Sequence, residues 1–393
     1  MSVKTRVSRT FVTDPWLVGV SFALLSIGVV MLASASLGLA QQAEQSPFYY
    51  VVRQSLYGLI GVFVALFVVR IKMSVWQKMA NPLMVIGVVL LIAVLIPGIG
   101  KEANGSYRWI DLGAFNLQVS ELVKLFMIIY FSAFLVKKAN EINMSLANLA
   151  KSLVPLLLVS ILLILEPDLG ATAVIVGTVI GLFFIAGIRL SYFLTLLVTA
   201  LIGLAGLIFF ASYRLERFMT FMQACDPAYY HNKGYQLCQA LIAFGRGEWV
   251  GVGLGSGIQK EFYLPEAHTD FLLAILGEEL GAVGTLVVVV LFAVLFYRAF
   301  SIAKRAEQSQ QVFSAFVAYG IAFWIGLQSL VNIGVNMGLL PTKGITLPLV
   351  SYGGSSIVVT CIAIAILLRI SYEATPVSSV KTKGGAQWQA RAS

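Results

Sequence analysis

The sequence predicts an all-α polytopic membrane protein with about ten transmembrane helices, and three observations lead to this prediction. Hydrophobic residues make up 59% of the 393 positions and charged residues only 11%, unlike soluble globular chains. The apolar residues fall into ten runs near the length of a membrane crossing. Hydrophobicity is continuous within each run, which is typical of spanning helices, whereas barrel strands alternate. The runs lie near 16–38, 55–70, 80–99, 121–136, 152–166, 169–188, 190–212, 271–297, 312–338 and 345–370.

The distribution of positive charge predicts the orientation of the helices. Of the 27 Lys and Arg residues, 17 lie beside the runs on the side of the N-terminus and nine on the opposite side, five of these in one long loop. Because basic residues favour the cytoplasmic side, both termini are predicted to be cytoplasmic. The net charge of +9 is therefore a topology signal, and nucleic acid is not expected as a partner. We predict tails at 1–14 and 373–393, one transmembrane domain at 15–372, and a large outer loop, 213–268, between helices seven and eight.

The first three helices are predicted to be scaffold, and ionisable residues mark the segments that follow. Helices one and two carry no charge in their interiors, and helix three ends at a Pro-Gly cluster. In the next outer loop, Arg108 and Trp109 could anchor the chain at the membrane surface or contact a phosphate or a sugar. Helix four begins with Glu121 and Lys124, which share one face and are expected to form an ion pair facing the bundle interior.

A tight turn with two carboxylates joins helices five and six. Helix five is short for a bilayer crossing and ends at Glu166-Pro167-Asp168, after which helix six begins at once. This turn is expected to lie below the outer headgroups, in a polar cavity that opens outward. Asp168 could equally be a plain N-cap of helix six. Both interpretations can hold together.

The long outer loop contains two cysteines and several glycines. Cys225 and Cys238 lie on the oxidising side of the membrane, where a disulfide could join them, although their spacing leaves this open. The glycines between 245 and 257 fit no nucleotide-binding pattern and predict a flexible loop at the membrane surface. No zinc-ligand spacing and no nucleophile elbow occur in the sequence.

Asp270 stands where the long loop becomes helix eight. It could be an N-cap, or a carboxylate at the mouth of a membrane cavity that accepts a proton or holds a cation. Glu278 and Glu279 lie further along the same apolar run and need partners that the sequence does not identify. The Gly-, Pro- and hydroxyl-rich segment 338–356 predicts a broken helix or re-entrant turn. Within it, Lys343 could reach the interface or neutralise a diphosphate.

Several motifs together resemble the SEDS family of bacterial cell-wall proteins over about residues 14–372. They are SYRWIDLG with QVSELVK, EPDLG, FGRG with YLPEAHTDF, GEELG, and PTKGITLPLVSYGGSS, and the last is more similar to the division members than to the elongation members. The resemblance implies ten transmembrane helices and a peptidoglycan glycosyltransferase that polymerises lipid II, an undecaprenyl-diphosphate-linked disaccharide peptide. It also implies a class B penicillin-binding protein and other division proteins as partners, and the bacterial inner membrane at the division septum as the location.

The resemblance also implies roles for individual residues. Asp270 matches the essential carboxylate of the family, either as the general base of an inverting transfer or as a ligand of a divalent cation such as Mg²⁺ or Mn²⁺. We expect the substrate-binding residues to be Arg108, Trp109, Glu121, Lys124, Asp168, Arg246, His268, Lys343, Ser351 and Tyr352. A lipid II flippase is the alternative, and a scaffold for division proteins is a third interpretation. The charged residues within the runs cluster at the outer helix ends, which favours the enzyme.

Overall fold

The structure is a computed structural model in which most of the chain is helical. It describes residues 14–42, 44–103, 106–113, 115–209, 215, 220–221, 223–227, 234–342 and 344–375, so nearly all of the two predicted tails lies outside it. The helices are α1 (Pro15–Gln42), α2 (Tyr49–Val68), α3 (Met73–Val94), α4 (Val119–Ile142), α5 (Leu146–Ser152), α6 (Val154–Leu165), α7 (Leu169–Ile185), α8 (Leu190–Phe209), α9 (Tyr235–Gly247), α10 (Leu272–Gln308), α11 (Val312–Asn336) and α12 (Gly354–Ala374).

Eight of the described helices are long and apolar enough to cross a membrane. Helices α5 and α6, which meet at an angle of 43°, together make a ninth candidate, and α7 is a shorter apolar helix of 17 residues. Each of the ten predicted runs coincides with one of these helices or with the α5–α6 pair, so the prediction of a polytopic helical membrane protein is confirmed. Because 17 residues rise only about 26 Å, the turn before α7 lies below the outer headgroups if α7 reaches the inner surface.

Helices α4, α11 and α12 form the centre of the bundle. In their most apolar windows 72%, 72% and 67% of the residues are buried, whereas in α8 the share is 6%. The central helices carry buried polar side chains, as α1, α2 and α10 also do, and such groups are costly in lipid and require partners inside the protein. Below, the outer face means the side with the turns at 95–118, 166–168, 248–271 and 337–353, in accordance with the charge distribution.

A small antiparallel sheet on the outer face leads directly into α4. Its strands are β1 (Gly100–Ala103), β2 (Ser106–Asp111) and β3 (Asn116–Gln118), in the order β1-β2-β3. The sequence predicts an outer loop for this stretch, so the strands are a difference from that prediction. Strands this short carry no clear alternation of polar and apolar residues, so periodicity gives little signal for them.

Helix α10 is interrupted at Gly281, whose backbone has a φ of 67°, and the outer loop fills the interruption. The backbone N–H groups of residues 282 and 283 donate to the carbonyls of 248 and 249, at 2.9 and 3.1 Å. The N–H groups of 252 and 253 donate in turn to the carbonyls of Glu278 and Glu279, at 3.0 and 3.1 Å. The segment predicted to be a flexible loop is therefore attached to α10 by four backbone hydrogen bonds.

Two helix boundaries differ from the sequence prediction. Helix α10 continues to Gln308, eleven residues beyond the predicted run 271–297, because a polar helix outside the membrane gives no hydropathy signal. There Asp14 forms ion pairs with Arg298 and Arg305. At the other end of the chain, α12 begins at Gly354 and not near 345, because the first nine residues of the predicted run form a turn.

Candidate active site

Asp270 lies on the outer face, two residues before α10 begins. The N-cap of α10 is Phe271 and no side chain caps this helix, so Asp270 does not act as the cap. Its backbone carbonyl accepts hydrogen bonds from the Nδ2 atoms of Asn332 and Asn336, both at 2.9 Å. Asn336 also accepts one from the backbone N–H of Ala274 at 3.1 Å. Helix α11 therefore fixes the backbone at Asp270 while the carboxyl group is not used as a cap.

The carboxyl group of Asp270 is half-buried and lies among charges of both signs. Burial raises the pKa of Asp270 to about 7, the negative charges of Glu266 and Asp168 act in the same direction, and Arg108 acts against them. A Cβ atom added at Gly344 would lie 3.0 Å from the Oδ2 atom, so the segment after α11 packs closely here. A carboxyl group that titrates near neutral pH is suited to general-base chemistry.

Arg108 connects the outer sheet with the turn between α6 and α7. Its Nε and Nη2 atoms donate to the backbone carbonyls of Glu166 at 3.2 Å and Pro167 at 2.8 Å. In the same turn, Oδ1 of Asp168 accepts from the backbone N–H of Ala171 at 3.1 Å, and Oδ2 has no partner among the described residues. Asp168 therefore caps α7 with one carboxyl oxygen, while its second oxygen makes no hydrogen bond within the described residues. Both interpretations from the sequence, an N-cap and a carboxylate in a polar cavity, are compatible with this arrangement.

Glu166 and Trp109 complete this side of the site. Neither carboxyl oxygen of the fully buried Glu166 has a hydrogen-bond partner in the described part of the chain. Burial and, second, the charge of Asp168 raise the pKa of Glu166 to about 8, with Arg108 acting in the opposite direction. Trp109 is half-buried in β2, where it pairs with Lys101 on β1. The outer turn thus contains two carboxyl groups beside one guanidinium.

Glu121 and Lys124 form the ion pair that their spacing predicts, deep inside the bundle. The Nζ atom of Lys124 lies 2.7 Å from Oε1 of Glu121, with 3% and 6% of the two side chains exposed. The same Nζ donates to Oε1 of Gln328 at 2.6 Å, and the Nε2 atom of Gln328 donates to the carbonyl of Thr346 at 2.9 Å. Through Gln328 the pair is connected to the turn segment at 345–353 on the outer face.

Internal hydrogen bonds hold this turn segment together. The carbonyl of Ile345 accepts from Nδ2 of Asn332 at 2.6 Å. The Oγ atom of the buried Ser351 accepts from the backbone N–H of Leu347 at 2.9 Å. Ser351 therefore closes the turn, and Asn332 attaches the same segment to the backbone of Asp270.

Tyr352 and His268 join the turn segment to the stretch before Asp270. The backbone N–H of Tyr352 donates to the carbonyl of His268 at 3.1 Å, and the ring centroids of the two side chains are 5.8 Å apart. Burial lowers the pKa of His268, so its imidazole is neutral at pH 7, and its Nδ1 atom has no partner in the described part of the chain. Lys343, also expected here, lies outside the described residues.

Arg246 lies at the end of α9, where it binds a carboxylate of α10. Its Nη1 atom is 3.1 Å from Oε1 of Glu278. The carboxylate of Glu278, which is fully buried, also accepts from the backbone N–H groups of Ile258 at 3.0 Å and Gln259 at 3.1 Å. The structure thus engages Arg246 with Glu278 and does not place it among the residues around Asp270.

Glu279 has a second set of partners, drawn from distant parts of the chain. Its Oε1 atom is 2.7 Å from Nζ of Lys260 and accepts from Oγ of Ser34 at 2.6 Å. The Nζ atom of Lys260 also donates to Ser34 and to the carbonyl of Gly255, both at 2.7 Å. These contacts supply the partners that the sequence could not identify.

The structure also pairs the two loop cysteines. Cys225 and Cys238 form a disulfide that connects the described residues before α9 to its first turn, and Cys361 is a buried free thiol in α12. Across the described residues no three His, Cys, Asp or Glu side chains lie close enough together to hold a metal ion. Mg²⁺ is often held by one or two carboxylates together with substrate phosphates, an arrangement to which Asp270 could contribute.

Sequence reasoning did not single out the amide residues of α11. Gln328, Asn332 and Asn336 are spaced four apart on one face of a very apolar helix, and they contact the Lys124 pair, the turn segment and the Asp270 backbone. Polar groups inside spanning helices usually face the bundle interior, so this regular spacing was a usable signal.

The fold and the site define a class of protein: a polytopic helical membrane protein with an ionisable carboxyl group on the outer face of its bundle. The family model described as a cell cycle protein, for FtsW, RodA and SpoVE, matches residues 15–376. The chain belongs to this family, and the resemblance to SEDS proteins is confirmed.

Individual relatives agree with this assignment. The chain is 49% identical over 361 residues to the probable peptidoglycan glycosyltransferase FtsW of Legionella pneumophila, covering 92% of this chain and 91% of the relative. Identity to the protein of the same name from Nitrosococcus halophilus is 48% over 361 residues, with 92% of each covered. Both relatives carry the name of the division member, in agreement with the last motif of the sequence.

Solved structures have the same fold. One belongs to a study of polymerization and crosslinking by a peptidoglycan synthase complex, with a TM-score of 0.74, 26% identity, and 92% of this chain and 98% of that chain covered. The rod shape determining protein RodA of Thermus thermophilus matches with a TM-score of 0.67 and 26% identity, and 91% and 96% of the two chains are covered.

Proposed function

We propose that this protein is a peptidoglycan glycosyltransferase that polymerises lipid II into glycan strands during septal wall synthesis. The names of its relatives support the reaction class. The observation that carries the proposal is the carboxyl group of Asp270, which has a pKa of about 7 on the outer face, where lipid-linked sugars are presented. Two asparagines of α11 hold its backbone in place, as a catalytic group requires.

The proposed reaction is a single inverting displacement with Asp270 as general base. A hydroxyl oxygen of the acceptor sugar attacks the anomeric carbon of the donor, and the bond from that carbon to the lipid diphosphate breaks with both electrons going to the diphosphate. Asp270 takes the proton of the attacking hydroxyl group as the new glycosidic bond forms. An α-linked donor thereby becomes a β-linked product, which one displacement accounts for.

Arg108 is the described cation best placed to stabilise the leaving diphosphate. It is the positive charge that acts on Asp270, and its guanidinium is already oriented by two backbone carbonyls. Preorganised cations that face developing negative charge lower the barrier of such reactions. Lys343 is a second candidate by sequence position. Glu121 and Lys124 would act at a distance, through Gln328 and the turn segment that it holds.

We further propose a cellular context for this activity. The catalytic unit spans residues 15–372 in the bacterial inner membrane, at the division septum. A class B penicillin-binding protein would crosslink the strands as they form, by analogy with the synthase complex whose chain shares this fold. Because the lipid-linked substrate is presented at the outer membrane surface, polymerisation and crosslinking would then take place on the same side of the membrane.

The test is polymerisation of labelled lipid II by the purified protein with its transpeptidase partner. Asp270→Asn should lower the rate by roughly 10²-fold or more, whereas Asp111→Asn, which removes an exposed carboxylate of the outer sheet, should have little effect. Polymerisation that survives Asp270→Asn would remove Asp270 from catalysis. Lipid scrambling without glycan chains would indicate the flippase, and partner recruitment without either activity would indicate a scaffold.

A further inference from the structure

Arg53, near the outer end of α2, extends the group of side chains around Tyr352 and His268. Its guanidinium carbon lies 5.0 Å from the ring centroid of Tyr49, and the guanidinium interacts with the hydroxyl group of Tyr352. The ring centroid of Tyr50, the residue after Tyr49 on α2, lies 5.4 Å from that of Tyr352 and 5.2 Å from that of His268. We call Tyr49, Tyr50, Arg53, His268 and Tyr352 the Arg53 cluster.

The Arg53 cluster is a fixed part of the outer face. Gln54, the residue after Arg53, is fully buried and donates from Nε2 to the carbonyl of Ser351 at 3.1 Å. Its Oε1 atom accepts from the backbone N–H of Gly353 at 3.4 Å. A Cβ atom at Gly354 would lie 2.8 Å from the ring of Tyr57, which shows how closely α2 packs on this turn. The position of the guanidinium is therefore set by the bundle.

Arg53 has no carboxylate partner among the described residues, unlike the buried Lys124 and Lys260. It is half-buried in an environment of tyrosine rings and hydroxyl groups. A guanidinium in such surroundings, with neighbouring hydroxyl donors, favours an oxyanion, and Arg in particular suits phosphate.

The face of α2 below Arg53 is apolar and open. Residues at helical spacing from Arg53 form a stripe with exposed fractions of 52%, 42%, 61% and 53%: Leu56, Ile60, Phe63 and Phe67. Fourteen residues of helix rise about 21 Å, so the stripe runs from the outer surface well into the membrane. An anion-binding group above a lipid-facing stripe fits an amphiphile with a phosphate head and a long hydrocarbon tail.

We propose that the Arg53 cluster binds the diphosphate of a second lipid-linked saccharide, the acceptor, an inference that rests on the proposed function. In that reaction the donor loses its diphosphate from the carbon under attack, whereas the acceptor keeps its own, two sugar rings away from the attacking hydroxyl. Arg108 acts directly on the charge of Asp270, whereas Arg53 is connected to the stretch before Asp270 through Tyr352 and His268. The nearer cation therefore serves the leaving diphosphate, and Arg53 serves the one that is retained.

The experiment counts bound undecaprenyl diphosphate by native mass spectrometry of the full chain, released from nanodiscs of zwitterionic lipid. The wild-type protein and Asp270→Asn should each bind two copies. Arg53→Gln should retain one copy, and its affinity for the second should fall about ten-fold or more. Arg53→Lys keeps the positive charge but loses the planar set of N–H donors of the guanidinium, and it should bind the second copy with intermediate affinity.

Two comparisons make the result decisive. Lys101→Gln removes an exposed cation of the outer sheet and should leave two copies bound. Nanodiscs that contain phosphatidylglycerol test for ordinary headgroup binding. The proposal is overturned if Arg53→Gln still binds two copies, or if phosphatidylglycerol displaces the second copy at equal concentration. If Asp270→Asn remained active while the count fell from two to one in Arg53→Gln, the base assignment would fail and the diphosphate site would stand.

Discussion

At the scale of single residues, the site depends on how α11 positions the backbone of Asp270 without using its carboxyl group. Two asparagine side chains donate to one carbonyl, and one of them also accepts from the first turn of α10. Aspartate is a favoured N-cap, and a capping bond would have satisfied the carboxylate and lowered its pKa. Because the cap position is Phe271, no capping bond opposes the effect of burial, which raises the pKa of Asp270 to about 7.

This pKa predicts the pH dependence of the proposed reaction. A general base must be deprotonated, so kcat/KM should rise with pH, level off above about 7, and fall about ten-fold per pH unit well below that value. A profile of lipid II polymerisation between pH 5 and 8.5 measures this directly. Glu266→Gln removes a charge that raises the pKa and should move the rise to lower pH. A profile that is flat down to pH 5 would contradict the assignment.

At the scale of elements, the interruption of α10 is the feature that hydropathy cannot show. The outer loop supplies the backbone partners that the interrupted helix lacks, and glycines allow the close approach. The φ of Gly251 is 81°, and a Cβ atom there would lie 2.1 Å from the carbonyl oxygen of Glu279. Spanning helices tolerate such breaks only where other groups restore the hydrogen bonds.

Gly251→Ala should therefore destabilise the protein by more than the cost of placing an alanine at the positive φ of this position. Gly98 is a matched control, because its φ is 91° and no atom lies within 4 Å of an added Cβ. Gly98→Ala should cost roughly 1–2 kcal/mol from the left-handed backbone, and Gly251→Ala roughly twice that or more, since α10 must also move. Thermal melts in detergent compare the two variants. Equal losses would mean that the loop does not need its close contact with α10.

The same loop should reach into the outer leaflet. Its backbone bonds to α10 at residues 278–283, which lie about 9–17 Å along the helix from Leu272. Trp249 and Val250 are 77% and 80% exposed there, as suits side chains in contact with lipid. A fluorophore on Val250→Cys should be quenched strongly by lipids brominated in their acyl chains. The same label on Leu112→Cys, next to the outer sheet, should be quenched less, and the reverse order would place the loop outside the membrane.

At the scale of the whole molecule, buried charges connect segments that are far apart in sequence. The Lys260–Glu279 pair is almost fully enclosed and also engages Ser34 of α1, so it links the start of the bundle to its eighth span. The Lys101–Asp111 pair on the outer sheet is similar in geometry, at 3.0 Å, but about half exposed. Burial is thus the main difference between the two pairs.

Removing one partner should affect these pairs very differently. Glu279→Ala leaves a buried ammonium without its carboxylate and should cost about 3–5 kcal/mol, whereas Asp111→Ala breaks an exposed pair and should change stability little. Thermal stability of the purified variants measures the difference. A double variant, Lys260→Met with Glu279→Leu, should recover part of the loss, because it removes both charges. Similar losses for the two single variants would contradict the enclosed position of Lys260.

Much of this architecture could be predicted from the sequence, and the remainder could not for physical reasons. Hydropathy located the spans, and the distribution of Lys and Arg indicated the outer face. Arg108, Asp168 and Asp270 could be singled out because they are ionisable residues beside apolar runs on that face. The partners of Glu278 and Glu279 were inaccessible, since they lie between 19 and 245 residues away and no local pattern links them. The predicted run 345–370 begins nine residues before α12 because Ile345, Leu347, Leu349 and Val350 are apolar, although the Gly and Pro residues of the same segment indicated a break in the helix.

The paired carboxylates of α10 have a consequence for how the protein is made. Each would add about 2.5–3.5 kcal/mol to the free energy of inserting a helix centre into a bilayer. The ribosome completes Arg246 and Lys260 before it reaches Glu278 and Glu279, so the neutralising cations already lie on the far side when this segment leaves the translocon. Loss of Lys260 should thus first appear as mistaken topology in the newly synthesised chain, before any enzymatic defect can be measured.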